Sequence, residues 1–199
     1  TKSQRPAGRK SSAARSAVSP STTTSGIPPV AEATTGVPQA IAGLWDRLCA
    51  DARAVTGLRD FHAENLIWRG DAPLGVLDFQ DAVAVHPAYD LVSGLQDARR
   101  DVAPDIEDAQ IARYVAATGL DEARFRAAYA LLGAQRNLRI MGIFTRLAQR
   151  DGKRRYLAFM PRVWAAIQRD LAHPALAPLA QAMQGIPAPT AHLIEGIGA

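Results

Sequence analysis

The spacing of apolar residues changes period twice along this chain, and that change constrains the fold more than any other feature. From about Gln39, the residues Ile41, Leu44, Trp45, Leu48 and Ala52 recur at helical spacing. This predicts an amphipathic helix to about Val55, stopped by Gly57. Two short apolar runs follow, Asn65-Leu66-Ile67-Trp68 and Leu74-Gly75-Val76-Leu77, with Gly70-Asp71-Ala72-Pro73 between them. Turn-forming residues between two runs of strand length predict a β-hairpin over residues 65–78. Everything beyond it reads as helical. Pro87 suits a first turn leading Ala88–Arg99, and Asp105 is placed to cap a helix that Gly119 ends. Asp121 opens a long helix in which Phe125, Tyr129, Leu132, Ile140, Ile143 and Leu147 fall near one face, stopping at Asp151-Gly152. A helix from about Arg154 to Leu171, bent at Pro161, and a short one over Pro174–Met183 follow. The fold class is therefore α+β, mostly α: a helical lobe carrying one small hairpin near its start.

Charge and composition divide the chain unevenly. The net charge of +4 belongs to the first forty residues, where Lys2, Arg5, Arg9, Lys10 and Arg15 face Glu32 alone. The remainder carries 18 basic and 18 acidic residues, so it exerts no net pull on phosphate backbones and no nucleic-acid partner is expected. Residues 1–38 are rich in Ser, Thr, Ala, Pro and Gly, with Val18, Ile27, Val30 and Val37 isolated. They read as a disordered or non-native tail, because so little apolar surface cannot offset the entropy of ordering. Residues 39–183 read as the folded domain and 184–199 as a C-terminal tail. No window approaches 18 consecutive apolar residues, and the basic N-terminus lacks an apolar signal segment, so no membrane association is expected and the expected location is cytoplasmic. The single cysteine, Cys49, lies in an apolar stretch and reads as a small buried hydrophobe. Trp45, Phe125, Tyr129 and Trp164 read as core.

The stretch that carries chemistry is Leu58-Arg59-Asp60-Phe61-His62-Ala63-Glu64-Asn65, followed by Gly75-Val76-Leu77-Asp78-Phe79-Gln80-Asp81-Ala82. Phosphoryl transfer from a nucleotide asks little covalent chemistry of a protein. It requires a group that orients and deprotonates the attacking hydroxyl, and oxygen ligands that hold Mg²⁺ on the transferring phosphates. A loop Asp, an Asn five residues later and a strand-end Asp on the paired strand form such a set. Because the hairpin folds the two segments back on each other, Asn65 and Asp78 are expected to converge.

In these residues the chain resembles the protein-kinase-like superfamily, whose catalytic loop reads Asp, four residues, Asn, with a metal-binding Asp after the next strand. Within it, the chain is similar to the aminoglycoside phosphotransferase and choline kinase branch. The likeness is closest to the bacterial kinases that phosphorylate the anomeric hydroxyl of N-acetylmuramate and N-acetylglucosamine in cell-wall (peptidoglycan) recycling. The segments that carry it are Leu58–Trp68, Leu77–Val102 with its His-Pro-Ala-Tyr-Asp-Leu stretch, and Gly133–Tyr156, within a likeness covering about residues 41–183. The resemblance implies ATP and Mg²⁺ as cofactors, and a sugar and a nucleotide as small-molecule partners. It implies Asp60 as catalytic base, Asn65 and Asp78 as Mg²⁺ ligands, and Asp90 as a structural support beneath the catalytic loop. Many relatives carry His two residues before the catalytic Asp, where this chain has Leu58.

A larger departure concerns the nucleotide. The lysines are Lys2, Lys10 and Lys153, and no G-x-G-x-x-G precedes Asp60, so neither the strand Lys nor the Gly-rich loop of such kinases is present. The resemblance is thus to a C-terminal lobe without its N-lobe, and no nucleotide-binding residue is assigned. On that reading the chain alone is inactive, and the surface around Phe61, Phe79 and the 41–55 helix is exposed and apolar. An aminoglycoside or other small-alcohol kinase, and a non-catalytic pseudokinase-like binding module, are the alternatives. Gln80 and Asp81 follow the metal Asp and read either as sugar-hydroxyl contacts or as solvated turn residues. His62 and His86 lack the spacing of a transition-metal site and read as packing or loop hydrogen-bond residues. Arg99-Arg100 reads as an exposed helix end, and Arg136, Asn137 and Arg139 as a polar network inside the lobe.

Overall fold

The computed structural model describes residues 36–197. The tail expected over residues 1–38 lies, up to Thr35, outside the described residues; Val37 and Pro38 already belong to the first helix, α1 (Val37–Leu48). That helix is shorter than its apolar period suggests. It ends at Leu48, with Cys49 as its C-cap, and the chain turns before a strand, β1 (Val55–Gly57). The expected helix to Val55 is thus corrected: Val55 and Gly57 are extended. Their partners lie in β4 (Val83–Val85), paired antiparallel as Val55↔Val85, Thr56↔Ala84 and Gly57↔Val83.

Inside this pair sits the predicted hairpin, β2 (Leu66–Ile67) and β3 (Gly75–Val76), in the register Leu66↔Val76 and Ile67↔Gly75. The two short ladders are nested. The inner closes on its own turn, and the outer forms a neck that returns both arms of the segment to the helical body. Only helix was expected after residue 78, so β4 corrects that reading also.

The body follows the predicted order through α6: α2 (Tyr89–Leu95), α3 (Pro104–Thr118), α4 (Glu122–Asp151), α5 (Met160–Leu171) and α6 (Ala177–Ala182), followed by an unexpected α7 (Ala191–Gly196). α2 begins after Pro87 and stops short of the expected Arg99, with Gln96 as its C-cap. Asp121 caps α4 by accepting from the Arg124 backbone N–H at 2.7 Å. Gly119 and Gly152 end α3 and α4 with φ of 69° and 64°, the left-handed conformation that a residue without Cβ adopts at no steric cost. Asp105 is not a cap. Ala103 holds that position, and Asp105 lies in the first turn of α3, where its charge favours the helix dipole. Pro161 does not bend a helix. A 3₁₀ stretch (Arg154–Phe159) precedes α5, and Pro161 sits in the first α-turn, where its missing N–H leaves no bond unmade. Residues 184–197, read as a tail, carry α7, and Ile186, Ile194 and Ile197 pack on the main core.

α4 is the axis of the body. One side packs Leu131, Ala134, Phe144 and Ala148 against Leu44, Leu157, Met160, Val163, Ile167, Leu176 and Leu179. The other packs Phe125, Tyr129 and Leu132 against Ala88, Val92, Ile111 and Val115. Both sides of one helix can bury because its N-terminal half is lined with Ala and Gly, which admit close neighbours. Cys49 is buried as expected, and burial pushes its thiol up to about 11 against the opposing charge of Arg124. Phe125 and Tyr129 are core, but Trp45 is not: it is 42% exposed. It lies one residue, hence about 100° around the helix, from the fully buried Leu44. With Ile41, Val85, Tyr89, Leu131 and Leu138 it lines an apolar groove of about 780 Å³.

Candidate active site

Between the nested ladders run two facing arms, Leu58–Asn65 and Leu77–Ala82, and the predicted chemical residues lie on them. On the first arm Asp60 follows a bend at Arg59, whose backbone is left-handed at φ 69°. Such a conformation is uncommon for a residue bearing Cβ and needs restraint from its surroundings. The Leu58 and Arg59 backbone N–H groups donate to the two carboxylate oxygens of Asp90, at 2.6 and 3.1 Å. Asp90 lies in the first turn of α2, so one helix carries the acceptor for both bonds.

The arm then closes on itself. The Asp60 N–H donates to the Leu58 carbonyl at 2.9 Å, the His62 N–H to the Asp60 carbonyl at 3.0 Å, and the Asn65 N–H to the His62 carbonyl at 2.9 Å. The Asn65 side-chain amide donates from Nδ2 to the Asp60 carbonyl at 2.9 Å. This bond fixes the amide orientation and leaves Oδ1 free of it as an acceptor.

The second arm is tied to the first at Asn65, whose backbone carbonyl accepts the Leu77 N–H at 2.8 Å. Asp78 comes next, itself left-handed at φ 52° and exposed, and the short 3₁₀ turn Phe79–Asp81 begins after it. Asn65, just before β2, and Asp78, two residues after β3, therefore stand at the same open end of the inner hairpin. Their donors, one carboxylate and one amide oxygen with solvent access, are the hard oxygen ligands that Mg²⁺ accepts while keeping several waters. The residues fit that ion. Among the described residues, no group of three or more His, Cys, Asp or Glu is arranged to hold a metal.

Gln80 and Asp81 are both exposed in the turn after Asp78. His86 is buried, accepts the Ala88 N–H on Nδ1 at 3.1 Å, and is held below the usual histidine range by burial and then by Arg124. His62 is half-buried, its Nδ1 without a hydrogen-bond partner. Arg99 is exposed, but in the turn beyond α2 rather than at a helix end, and it reaches Glu64 of the first arm at 3.6 Å, an ion pair with little weight in water. Of the aromatics expected to lie exposed here, Phe79 is 63% exposed, while the Phe61 ring is half-buried at 3.3 Å from where a Cβ on Gly94 would stand.

The helical body holds a buried polar network that includes Asn137. Its Nδ2 donates to Gln96 Oε1 at 2.6 Å, and Gln96 Nε2 donates to Glu107 Oε1 and Asp170 Oδ1, each at 3.0 Å. The Tyr129 hydroxyl donates to Glu107 Oε1 at 2.8 Å, and Arg169 to Glu107 Oε2 at 3.1 Å. Burial pushes Asp170 up to about 8, the Gln96 donor opposing it. Arg136 stands apart from this network and donates to Ser93 Oγ at 2.9 Å. Ser93 was not singled out in the sequence, although its spacing of three from Asp90 on a helix would have put both on one face.

The sequence model of the Phosphotransferase enzyme family matches residues 13–129, which include both arms and α2. The chain belongs to this family. It is 50% identical over 147 residues to an N-acetylmuramate/N-acetylglucosamine kinase of Caulobacter vibrioides, covering 68% of this chain and 40% of the relative. Proteins with the same name from Pseudomonas putida and Neisseria meningitidis serogroup B are 37% and 38% identical over 131 and 120 residues. These cover 62% and 56% of this chain, and 38% and 35% of the relatives. The matched part of this phosphotransferase-family chain thus spans about two fifths or less of the length of these relatives. Among its described residues no helix is long and apolar enough to cross a membrane.

Proposed function

We propose that these residues are the C-terminal lobe of an ATP- and Mg²⁺-dependent kinase acting on the anomeric hydroxyl of an N-acetylated amino sugar such as N-acetylmuramate. Its place would be in cytoplasmic peptidoglycan recycling. The observation that carries the reading is the hydrogen-bonded frame of the first arm. Asp60 and Asn65 are locked five residues apart through the Asp60 carbonyl, and Asn65 is tied through its own carbonyl to the residue before Asp78.

In that frame Asp60 orients the acceptor hydroxyl and takes its proton as the oxygen attacks the γ-phosphorus, while the bond from that phosphorus to the bridging oxygen breaks and ADP leaves. Asn65 Oδ1 and the Asp78 carboxylate are the groups that would hold Mg²⁺. Mg²⁺, when bound, offsets charge on the transferring phosphoryl oxygens. Asp90 keeps the arm in place through its two backbone bonds and touches no substrate. The exposed Gln80 and Asp81, next to Asp78, are placed to meet sugar hydroxyls.

A second reading, a non-catalytic binding module, is favoured for these 199 residues on their own, because no lysine lies between residues 11 and 152 and no G-x-G-x-x-G precedes Asp60. Taken alone, the chain is expected to bind ATP–Mg²⁺ weakly and to show no turnover. Calorimetry tests this directly: micromolar ATP–Mg²⁺ binding abolished by Asp78→Ala would overturn it. The kinase reading is tested by joining the chain to a nucleotide-binding lobe and assaying N-acetylmuramate, N-acetylglucosamine, aminoglycosides and small alcohols with ATP. Transfer to the N-acetylated sugars is expected. Transfer only to aminoglycosides or alcohols would reassign the acceptor, and an inert protein with every acceptor would end the kinase reading.

A further inference from the structure

We infer that Ser93 and Arg136 are positioning residues that fix the direction in which Asp60 leaves the first arm. The catalytic meaning of this rests on the function proposed above, but the geometry stands without it. The two Asp90 bonds hold the peptide planes before Arg59, those carrying the Leu58 and Arg59 N–H groups. The plane that joins Arg59 to Asp60 is held on its N–H side by the Asp60 bond to the Leu58 carbonyl at 2.9 Å, and its carbonyl side looks for a partner outside the arm. Ser93 Oγ donates to that carbonyl at 3.4 Å. Asp90 and Ser93, three residues apart on α2, thereby act on the planes on either side of Arg59, Asp90 through two bonds and Ser93 through one longer contact that adds to the Asp60 bond within the arm.

Arg136 gives the serine its direction. A hydroxyl has one proton and can point it wherever an acceptor lies. The Arg136 guanidinium, donating from Nη2 into the Ser93 oxygen at 2.9 Å, occupies the acceptor side and leaves the proton for the Arg59 carbonyl. No water competes, because Ser93 is fully buried. The arginine is placed at a cost: Nη1 is buried without a hydrogen-bond partner, and burial holds the guanidinium below its usual range against the charges of Tyr89, Asp97 and Asp60. The one hydrogen bond that this partly desolvated cation makes is to the Ser93 hydroxyl, which in turn faces the Arg59 carbonyl.

The test is residue-resolved amide hydrogen exchange on the full chain, comparing Ser93→Ala, Arg136→Met and Arg136→Lys with wild type. Ser93→Ala and Arg136→Met are expected to speed exchange at Leu58, Arg59 and Asp60 about tenfold while leaving Leu131 and Leu132 in α4 unchanged. Arg136→Lys, which keeps a cationic donor, is expected to restore most of the protection. In a form competent for phosphoryl transfer, the same two variants should lower kcat by about tenfold to a hundredfold with acceptor KM nearly unchanged. Unaltered exchange at the arm overturns the inference. So does a uniform rise that includes α4, which would mark both residues as packing only, or a lysine variant no better than methionine. If Ser93→Ala fails to fold, the arginine pair decides. A protein inert with every acceptor but showing the local exchange pattern would refute the kinase reading and leave the positioning intact.

Discussion

The helical body and the segment from Val55 to Val85 are built on opposite terms. In the body, Leu44, Leu131, Met160, Val163, Ile167, Leu176 and Leu179 are almost wholly buried, and helices lie on both sides of α4. The segment turns its large side chains outward: Trp68 is 82% exposed, and Ile67, Leu74, Leu77, Phe79 and Val83 are exposed with it. It has two ladders of two and three residue pairs, and its form comes from hydrogen bonds to α2 and between its own arms. The body is thus stabilised by area removed from water, the segment by a few directed bonds. The candidate chemistry sits on the second, where oxygen atoms are aimed without being buried.

The comparison is tested most severely at Asp60. Asp60→Asn, in a form joined to a nucleotide-binding lobe, is expected to reduce turnover by about 10²–10⁴ with a nearly unchanged melting temperature. Retained activity would remove Asp60 from the mechanism. Next in size, Leu131→Ala or Ile167→Ala should each cost about 2–5 kcal/mol in chemical denaturation, through lost burial and the cavity left behind.

The pH dependence of stability belongs to the body. Asp170 is raised to about 8 in the folded protein by burial, so the folded state holds its proton where the unfolded chain has lost it. Its contribution is fully present below about pH 4 and lost as pH rises through about 8, at roughly 1 kcal/mol per pH unit. Denaturation at several pH values should show this slope, and Asp170→Asn should flatten it. Asp90→Ala strands two backbone N–H groups and should free the first arm locally, at about 1–3 kcal/mol, read as faster exchange at Leu58 and Arg59. The smallest effect is expected at the outward face. Trp68→Ser and Phe79→Ser should change stability by less than about 0.5 kcal/mol in chemical denaturation. A large destabilisation there would break the contrast between the two regions.

Much of the body was legible because its signals are local. Helix-period apolar residues, the Asp121 cap and the glycines at 119 and 152 act within a turn of where they stand. The hairpin was legible for the same reason, its turn residues lying between the strands they join. β1 and β4 were not. Each is three residues long, Val55 continues the apolar period of α1, and its partner Val85 lies thirty residues further along the chain. Trp45 fitted the same period, and only the position of α4 decided that Leu44 would be buried and Trp45 left at a groove.

For the site, the order Asp60, Asn65, Asp78 and Asp90 could be read residue by residue through the family resemblance, and the turn between the strands already brought Asn65 toward Asp78. The conformation that presents Asp60 could not. It depends on a left-handed Arg59 held by Asp90 and Ser93, 31 and 34 residues away in sequence, and on Arg136 from another helix. A helix satisfies its backbone from within four residues, so its pattern is written where it forms. The bend at Arg59 takes one bond from its own neighbours, the Asp60 N–H to the Leu58 carbonyl, and its other partners came into place only when the chain had folded α2 and α4 beneath it.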